Sequence, residues 1–541
     1  MKFFHKTALT LVAFLTFIVL QTFSQPLQKQ WDRVYGGLSF EYLSTFIKLS
    51  DGNYLLAGYS LSNIGGDKTQ NSLGLFDYWI VKIDTAGTII WDKTIGGSAD
   101  DNLIKAIETT DGGFLLGGIS NSDPGFDKTD SARAFSYDYW IVKTDGSGNV
   151  QWDKTFGTEF DDSFIDLTEY NGSYILGGYT GAGISFDKTE PSRGDADYWI
   201  IKTDLQGNKL WDKTLGGTSY DRLVAITPAG NDNILVGGYS QSSLGADKSQ
   251  TTRGMLDYWA VKINSAGNKI WDKTFGSNRD EYLFQLVNKN NRYYWFGVSN
   301  SDVMFDKTIP CRGGSVNVDY WILQTDTSGN KINETVFGGF LDDNDITSVQ
   351  VTQDNGWLIG GTSYSYPSGD KTEANLGVEN MWAIKTDSVF IKQWDKTILT
   401  DMHEEQNLAI EQEDGVYLFA NTSLANTVGD KSAVNWGQND YWLSKWNVVV
   451  GLQSFAHGNN FNVYYDYVNE KLIVKNNSKK PIRFTLYNAM GAEITNTIIN
   501  SSNSVVELPA LSQNGLIISQ GVYFATFQSQ KQVITKKILL K

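Results

Sequence analysis

An Asp-Lys pair recurs seven times along the chain, as Asp67-Lys68, Asp127-Lys128, Asp187-Lys188, Asp247-Lys248, Asp306-Lys307, Asp370-Lys371 and Asp430-Lys431. A carboxylate beside an ammonium could act as an acid–base pair, and carboxylates from several loops could gather around Ca²⁺, which takes roughly six to eight oxygen ligands. The spacing argues against both. The pairs stand about 60 residues apart, the signature of a repeat architecture. A catalytic group is needed once, whereas a residue present in every unit does the same structural task in each. Each aspartate is therefore expected to cap a turn by accepting backbone N–H bonds, with its lysine reaching an adjacent unit. No compact Asp-x-Asp-x-Asp loop occurs, so no cofactor is expected, Ca²⁺ being the one cation such an oxygen inventory would suit.

Residues that depart from the repeat are better placed for function. Arg133, Arg193, Arg253 and Arg312 lie in the long loops of four consecutive units. Together they could form a positive arc for a carboxylate or sulfate on a glycan, or else make local salt bridges. Phe135, Tyr137, Tyr364, Tyr366 and Trp436 are loop aromatics that could stack on sugar faces. The links between units are acidic, with Glu41, Asp101, Asp162, Asp221, Glu281, Asp343 and Glu404-Glu405, and they share a face with the long loops. Arg193-Gly194-Asp195 spells an adhesion tripeptide, but Arg-Gly recurs at 253–254 and 312–313, so the repeat explains it. His403 and His457 are the only histidines beyond the amino terminus, and no His-Glu-x-x-His or Gly-x-Ser-x-Gly motif occurs. Zinc and serine-nucleophile chemistry are disfavoured. Carboxylate-pair glycosidase chemistry stays open, because Asp and Glu are plentiful.

These side chains need a scaffold, and each unit reads as four short strands. In the second, Asp111-Gly112 turns the first hairpin and Asp145 with Gly148 turns the last, residue types that supply positive φ. Asp138-Tyr139-Trp140 opens the third strand and Trp152-Asp153-Lys154 forms the fourth. Alternation sends Tyr and Trp to opposite faces, both packed, so the repeated Asp-Tyr-Trp reads as core. Four antiparallel strands in each of seven units predict a seven-bladed β-propeller. The seventh unit lacks its Trp-Asp-Lys strand, yet Trp31-Asp32-Arg33 stands alone near the amino terminus. This orphan is expected to complete the last blade and close the ring. The Trp-Asp dipeptide is not that of WD repeats, which are shorter and carry a Gly-His partner.

The basic start and the apolar run Ala8 to Leu20, ending in Thr22 and Ser24, predict a secretory signal peptide over 1–25. No later segment offers the roughly 20 apolar residues of a spanning helix. With one cysteine, Cys311, the fold does not use disulfides. A net charge of -16 argues against nucleic acid as partner. The predicted organisation is a propeller over 26–450 and a small Ig-like β-sandwich over 451–541, in a monomer.

That last segment carries Tyr487-Asn488-Ala489-Met490-Gly491, Gly521-Val522-Tyr523 and the terminal Lys536-Lys537 strand. It resembles the type A C-terminal sorting domain of the Bacteroidetes type IX secretion system, apart from the longer link Gln513 to Ser519. The resemblance implies export by that machinery, removal of the domain, and release or display of the passenger at the outer-membrane surface. The expected role is binding of a polysaccharide or a surface protein. A carbohydrate-active enzyme using loop carboxylates at the propeller mouth is the alternative, and a structural surface protein comes third.

Overall fold

The computed structural model describes residues 27–314, 316–402, 404–425 and 427–448, then 450–452, 461–466, 471–476, 481–488, 491–499, 504–509, 521–528 and 533–540. Residues 1–25, where a signal peptide is expected, His403, His457 and the link Gln513 to Ser519 lie outside them. The chain is all-β, with no helix among the described residues.

Up to Val448 the repeat becomes seven four-stranded antiparallel sheets, here numbered one to seven from the amino terminus. Sheet one runs Glu41–Lys48, Tyr54–Ser60, Asp77–Ile83 and Ile89–Ile95, and the next five follow the same consecutive order. In sheet seven the strands Glu404–Glu413, Val416–Ser423 and Asp440–Val448 are completed by Leu27–Tyr35. The orphan strand pairs antiparallel with Asp440–Val448, Asp32 facing Ser444 and Val34 facing Trp442.

No single sheet buries its own apolar faces. Every hydrophobic cluster in this part is built from two consecutive sheets: Ile80 and Leu56 face opposite ways, Ile80 joining Leu103 and Leu116 of sheet two and Leu56 joining Leu418 and Leu443 of sheet seven. The Tyr and Trp of Asp-Tyr-Trp are fully buried. Tyr78 packs on Trp140 at 4.8 Å and Tyr198 on Trp259 at 4.9 Å, each hydroxyl donating to the main-chain oxygen of that tryptophan. The sheet edges are locked by the Trp-Asp-Lys strand: Asp92 accepts from the Trp79 ring N–H at 3.1 Å and from Thr69. In sheet five, where Asn333 replaces the tryptophan, Glu334 takes that task and accepts from Trp321 at 2.8 Å. Asp32 does the same for sheet seven, accepting from Trp442 at 3.0 Å.

Beyond Val448 the period stops. Two further four-stranded sheets follow, one of Val450–Leu452, Phe461–Asp466, Lys471–Asn476 and Ser504–Pro509, the other of Glu493–Ile499, Ile482–Asn488, Gly521–Gln528 and Val533–Leu540. Gly491 closes the turn after Asn488 at φ +81°. Gly521, Val522 and Tyr523 open a strand that pairs with the one bearing Lys536 and Lys537.

Candidate functional site

The Asp-Lys loops and the links between sheets lie at one end of the sheets, and their polar groups fall into layers. The innermost layer is buried. Glu41, Asp101, Asp162, Asp221, Glu281, Asp343 and Glu404, expected as an acidic functional face, are withdrawn from solvent. They open the first strands, Asp162 standing one residue before its strand and the others first in theirs, and their side chains turn back to hold the link: Asp101 accepts from the Gly97 N–H at 2.6 Å and from Ser122 at 3.0 Å. Beside them stand the Asp-Tyr-Trp carboxylates, equally buried, which brace the long loop. Asp77 accepts from Leu73 N at 2.7 Å and Asp319 from Arg312 N at 2.5 Å.

Desolvation dominates the titration of this layer. Burial pushes Asp162 and Asp138 up to about 7 and Asp319 to about 8. Burial also pushes Glu404 up to about 8. Asp440, set against Glu41 across the seam between sheets seven and one, is raised by burial and by that neighbour. The Asp77 and Asp101 Oδ1 atoms, like those of Asp319 and Asp343, have no donor, and burial raises all four carboxyls above the ordinary range.

The Asp-Lys pairs divide their work differently from expectation. The aspartates, not the lysines, cross between sheets. Asp187 accepts from the Gly157 N–H of the preceding sheet at 3.1 Å, and Asp127 from Gly96 at 3.3 Å. The lysines fold back into their own sheet, Lys128 donating to Thr155 at 2.9 Å and Lys371 to Thr397 at 2.6 Å. They are buried, and desolvation brings Lys68, Lys128, Lys248 and Lys371 down to about 8. A lysine too short of water to stay fully charged is poorly suited to reach out over a neighbour.

The arginines form an arc, each tied to the next sheet. Arg133, Arg193, Arg253 and Arg312 place Nε 3.1, 3.0, 2.9 and 2.7 Å from Asp187, Asp247, Asp306 and Asp370. The salt-bridge alternative therefore describes them. Trp436 completes the pattern by other chemistry, its ring N–H donating to Asp67 at 2.9 Å. Asp430 sits 3.9 Å from Lys396. Tyr366 is exposed, whereas Tyr364 is half-buried on the wall of a central cavity.

That cavity, of about 920 Å³, runs between the first strands. A one-residue bulge in sheets one to five turns Ser44, Ile104, Ile165, Val224 and Phe284 onto its wall. Lys105 and Asp166 meet across it at 3.2 Å. Sheets six and seven carry longer bulges, with Asp345 at φ +51° and Gln406 at φ +53°. These bring Asp345, Glu379 and Glu405 to the same wall. Aromatic residues gather at the loop-bearing ends of the strands. Tyr42 stacks on Tyr59 at 5.1 Å with Phe76 edge-on to Tyr59 at 5.4 Å, and elsewhere Arg222 lies over Tyr179 at 5.2 Å with Tyr239 against Tyr282 at 5.1 Å. None of these was singled out from sequence. Their signal was a break in the repeat at the residue after the link acid, where Tyr42, Asn102, Ser163, Arg222, Tyr282, Asn344 and Glu405 span five residue types.

One feature of the loops is strained. The residue before the Asp-Lys aspartate has φ +59°, +56° and +65° at Gly66, Gly369 and Gly429, but the same backbone is adopted by Phe126, Phe186 and Phe305 at φ +55°, +45° and +51°. Left-handed backbone costs a bulky residue roughly 1–2 kcal/mol. Nothing is gained inside the fold in return, for the three rings are 69%, 64% and 63% exposed.

No group of three or more His, Cys, Asp or Glu able to hold a metal is found among the described residues, and they include no helix long and apolar enough to cross a membrane. No protein-family model matches the chain. It is 22% identical over 245 residues to the regulatory protein FlaEY of Caulobacter vibrioides, a stretch covering 41% of this chain and 25% of that protein. The chain thus spans about a quarter of that relative. Solved structures similar to it include a protein of unknown function from Dyadobacter fermentans, with TM-score 0.41, 12% identity and coverage of 78% of this chain and 99% of that one. The Pan2 WD40 domain of Neurospora crassa has TM-score 0.40 at 8% identity, covering 78% of this chain and 96% of the domain. PorZ, a surface component of the type-IX secretion system of Porphyromonas gingivalis, has TM-score 0.25 at 9% identity, covering 92% of this chain and 81% of that one.

Proposed function

We propose that residues 26–450 form a closed seven-bladed β-propeller whose loop-bearing end binds a polysaccharide or a surface protein. Closure is supported by the cyclic order of contacts, in which each sheet packs on the next and sheet seven on sheet one. The observation that carries the binding reading is the pair of aromatic clusters at the loop-bearing strand ends, Tyr42, Tyr59 and Phe76 on one side and Tyr179, Tyr239 and Tyr282 with Arg222 on the other. Half-buried rings on a rigid frame present flat faces at low entropic cost.

The export route belongs to the same proposal. Residues 1–25 direct the chain out of the cytoplasm, and 451–541 act as an Ig-like sorting sandwich for the type IX machinery, read by Gly491, Gly521, Val522, Tyr523, Lys536 and Lys537. The passenger then works outside the cell or at the outer-membrane surface, as a monomer without a nucleic-acid partner.

A second reading, a carbohydrate-active enzyme, is favoured by Glu404, whose carboxyl keeps a proton near neutral pH through burial and which lines the cavity beside Glu405. A protonated acid next to a carboxylate is the pairing glycoside hydrolysis uses.

The test is binding of the full chain to acidic and neutral polysaccharides, with Ca²⁺ and with chelator, while reducing ends are followed in the same wells. Binding without release, weakened by Tyr42→Ala or Arg222→Ala, supports the binding module. Release that Glu404→Gln abolishes moves the enzyme to first place. Neither binding nor release leaves the structural surface protein.

A further inference from the structure

Four large apolar side chains crowd the loop-bearing end where sheets two and three meet, and a fifth, Phe126, stands on the same loops of sheet two toward sheet one. Phe126, Phe135, Phe160, Ile184 and Phe186 are 69%, 90%, 58%, 65% and 64% exposed. Contacts fix the last four near one another: the Glu159 N–H, beside Phe160, donates to Ser185 Oγ, between Ile184 and Phe186, at 3.0 Å, and Arg133 of the Phe135 loop reaches Asp187 at 3.1 Å, while Phe126 precedes Asp127, which is bonded to Gly96 in the link from sheet one. Three of the four rings, Phe126, Phe135 and Phe186, stand on left-handed backbone, a conformation bulky residues rarely hold. Units one, six and seven use glycine at the place of Phe126 and Phe186, and unit four uses alanine, so the fold does not require phenylalanine there.

The charge around this patch has one sign. Asp123, Asp130, Glu159, Asp161 and Asp195 are exposed. The cations of the same loops are Lys128, Arg133, Lys188 and Arg193. Both lysines are buried, and both arginines are paired with Asp187 and Asp247. Asp130 shares Arg133 at 3.8 Å, and the aromatic anchors with the remaining exposed carboxylates complement apolar side chains flanked by cations.

We propose that this seam between sheets two and three docks a segment of a partner protein that carries large apolar side chains flanked by lysine or arginine. The inference rests on the binding reading above and locates it at the outer loops, apart from the central cavity. Sequence-remote strain at an exposed ring is what a surface selected for contact leaves behind when it is seen without its partner.

The experiment displays peptides with two phenylalanine or leucine residues flanked by lysine, by serine or by glutamate, and measures their retention of the full chain and of a Phe126→Gly/Phe186→Gly variant. Glycine suits both positions, so the variant keeps or raises its thermal midpoint and a loss of binding is not a loss of fold. The expected result is preferential retention by lysine-flanked peptides, weakened by added salt and by about tenfold or more in the glycine variant. Equal retention by lysine- and glutamate-flanked peptides, no retention at all, or indifference to the glycine pair overturns the proposal. So does a polysaccharide whose binding the glycine pair abolishes, which assigns the patch to a glycan. Polysaccharide binding that depends on Tyr42 and Arg222 but not on the phenylalanines leaves the binding module standing while this docking site falls.

Discussion

The Tyr441 hydroxyl donates to the Trp79 main-chain oxygen at 3.2 Å and the two rings lie 4.9 Å apart, although 362 residues separate them. This contact repeats the Tyr78–Trp140 relationship between consecutive sheets, now between the last sheet and the first. Tyr441→Phe keeps the ring and removes the bond, leaving a buried carbonyl short of a donor. A loss of about 1 kcal/mol is expected, read from urea unfolding. A change below about 0.3 kcal/mol would show that ring packing alone holds the seam.

The amino-terminal strand should matter more than its length suggests. Asp32 is held well below the ordinary carboxylate range by hydrogen bonds from Lys29, Ser432 and Ala433 that outweigh its burial, and it accepts from Trp442. Asp32→Ala strands those donors and should cost about 2–4 kcal/mol. Removing 27–35 exposes the edge of Asp440–Val448 and should prevent cooperative unfolding altogether, as seen by calorimetry. A truncated chain that melts like the intact one would refute the closing role of this strand.

Stability should fall between pH 5 and pH 8. Asp138, Asp162, Asp319 and Glu404 have folded values raised to about 7 or 8, so between their unfolded values near 4 and those figures the folded chain binds more protons than the unfolded one. Their contribution is present at low pH and is lost as pH rises through that window. The lysines, lowered to about 8, oppose this slope only at the top of the window and chiefly above it, where the unfolded chain binds more protons than the folded one. The melting temperature at pH 5 should exceed that at pH 8 by several degrees. Asn380→Asp, which places at the start of the third strand of sheet six the carboxyl that other sheets carry, should widen the gap. A higher melting temperature at pH 8 would contradict the buried-acid account.

Trp436 and the arginines are interchangeable fasteners, each reaching the Asp-Lys aspartate of the next sheet. Trp436→Arg should keep stability within about 0.5 kcal/mol by pairing with Asp67, whereas Trp436→Ala should lose about 1 kcal/mol with the ring N–H bond. Equal losses in both variants, measured by denaturant titration, would separate Trp436 from the arginine arc.

Much of the local design was legible in the residues. Asp111-Gly112 and Gly148 mark hairpin turns because few residue types accept positive φ, and Gly112 and Gly148 sit at φ +80° and +77°. Asp-Tyr-Trp reads as core because strand alternation buries both rings once a sheet is packed on two sides, and both are buried. Trp31-Asp32-Arg33 could be matched to the strand missing from the seventh unit by counting alone.

What only the tertiary structure decided is how charges share the spaces between sheets. The sequence places Glu41, Asp101 and their counterparts in links, which suggests solvent. Packing turns them inward, where bound N–H groups replace water. Sequence puts Asp127 next to Lys128, yet one crosses to the preceding sheet and the other stays at home, because adjacent residues on an extended turn point opposite ways. Arg133 and Asp187 are 54 residues apart and meet at 3.1 Å. Period and turn chemistry are properties of neighbours in the chain, whereas ion pairing and burial depend on which unit lands beside which. The repeat therefore determined the strands, and the contacts between sheets determined which of its charges remain available to a partner.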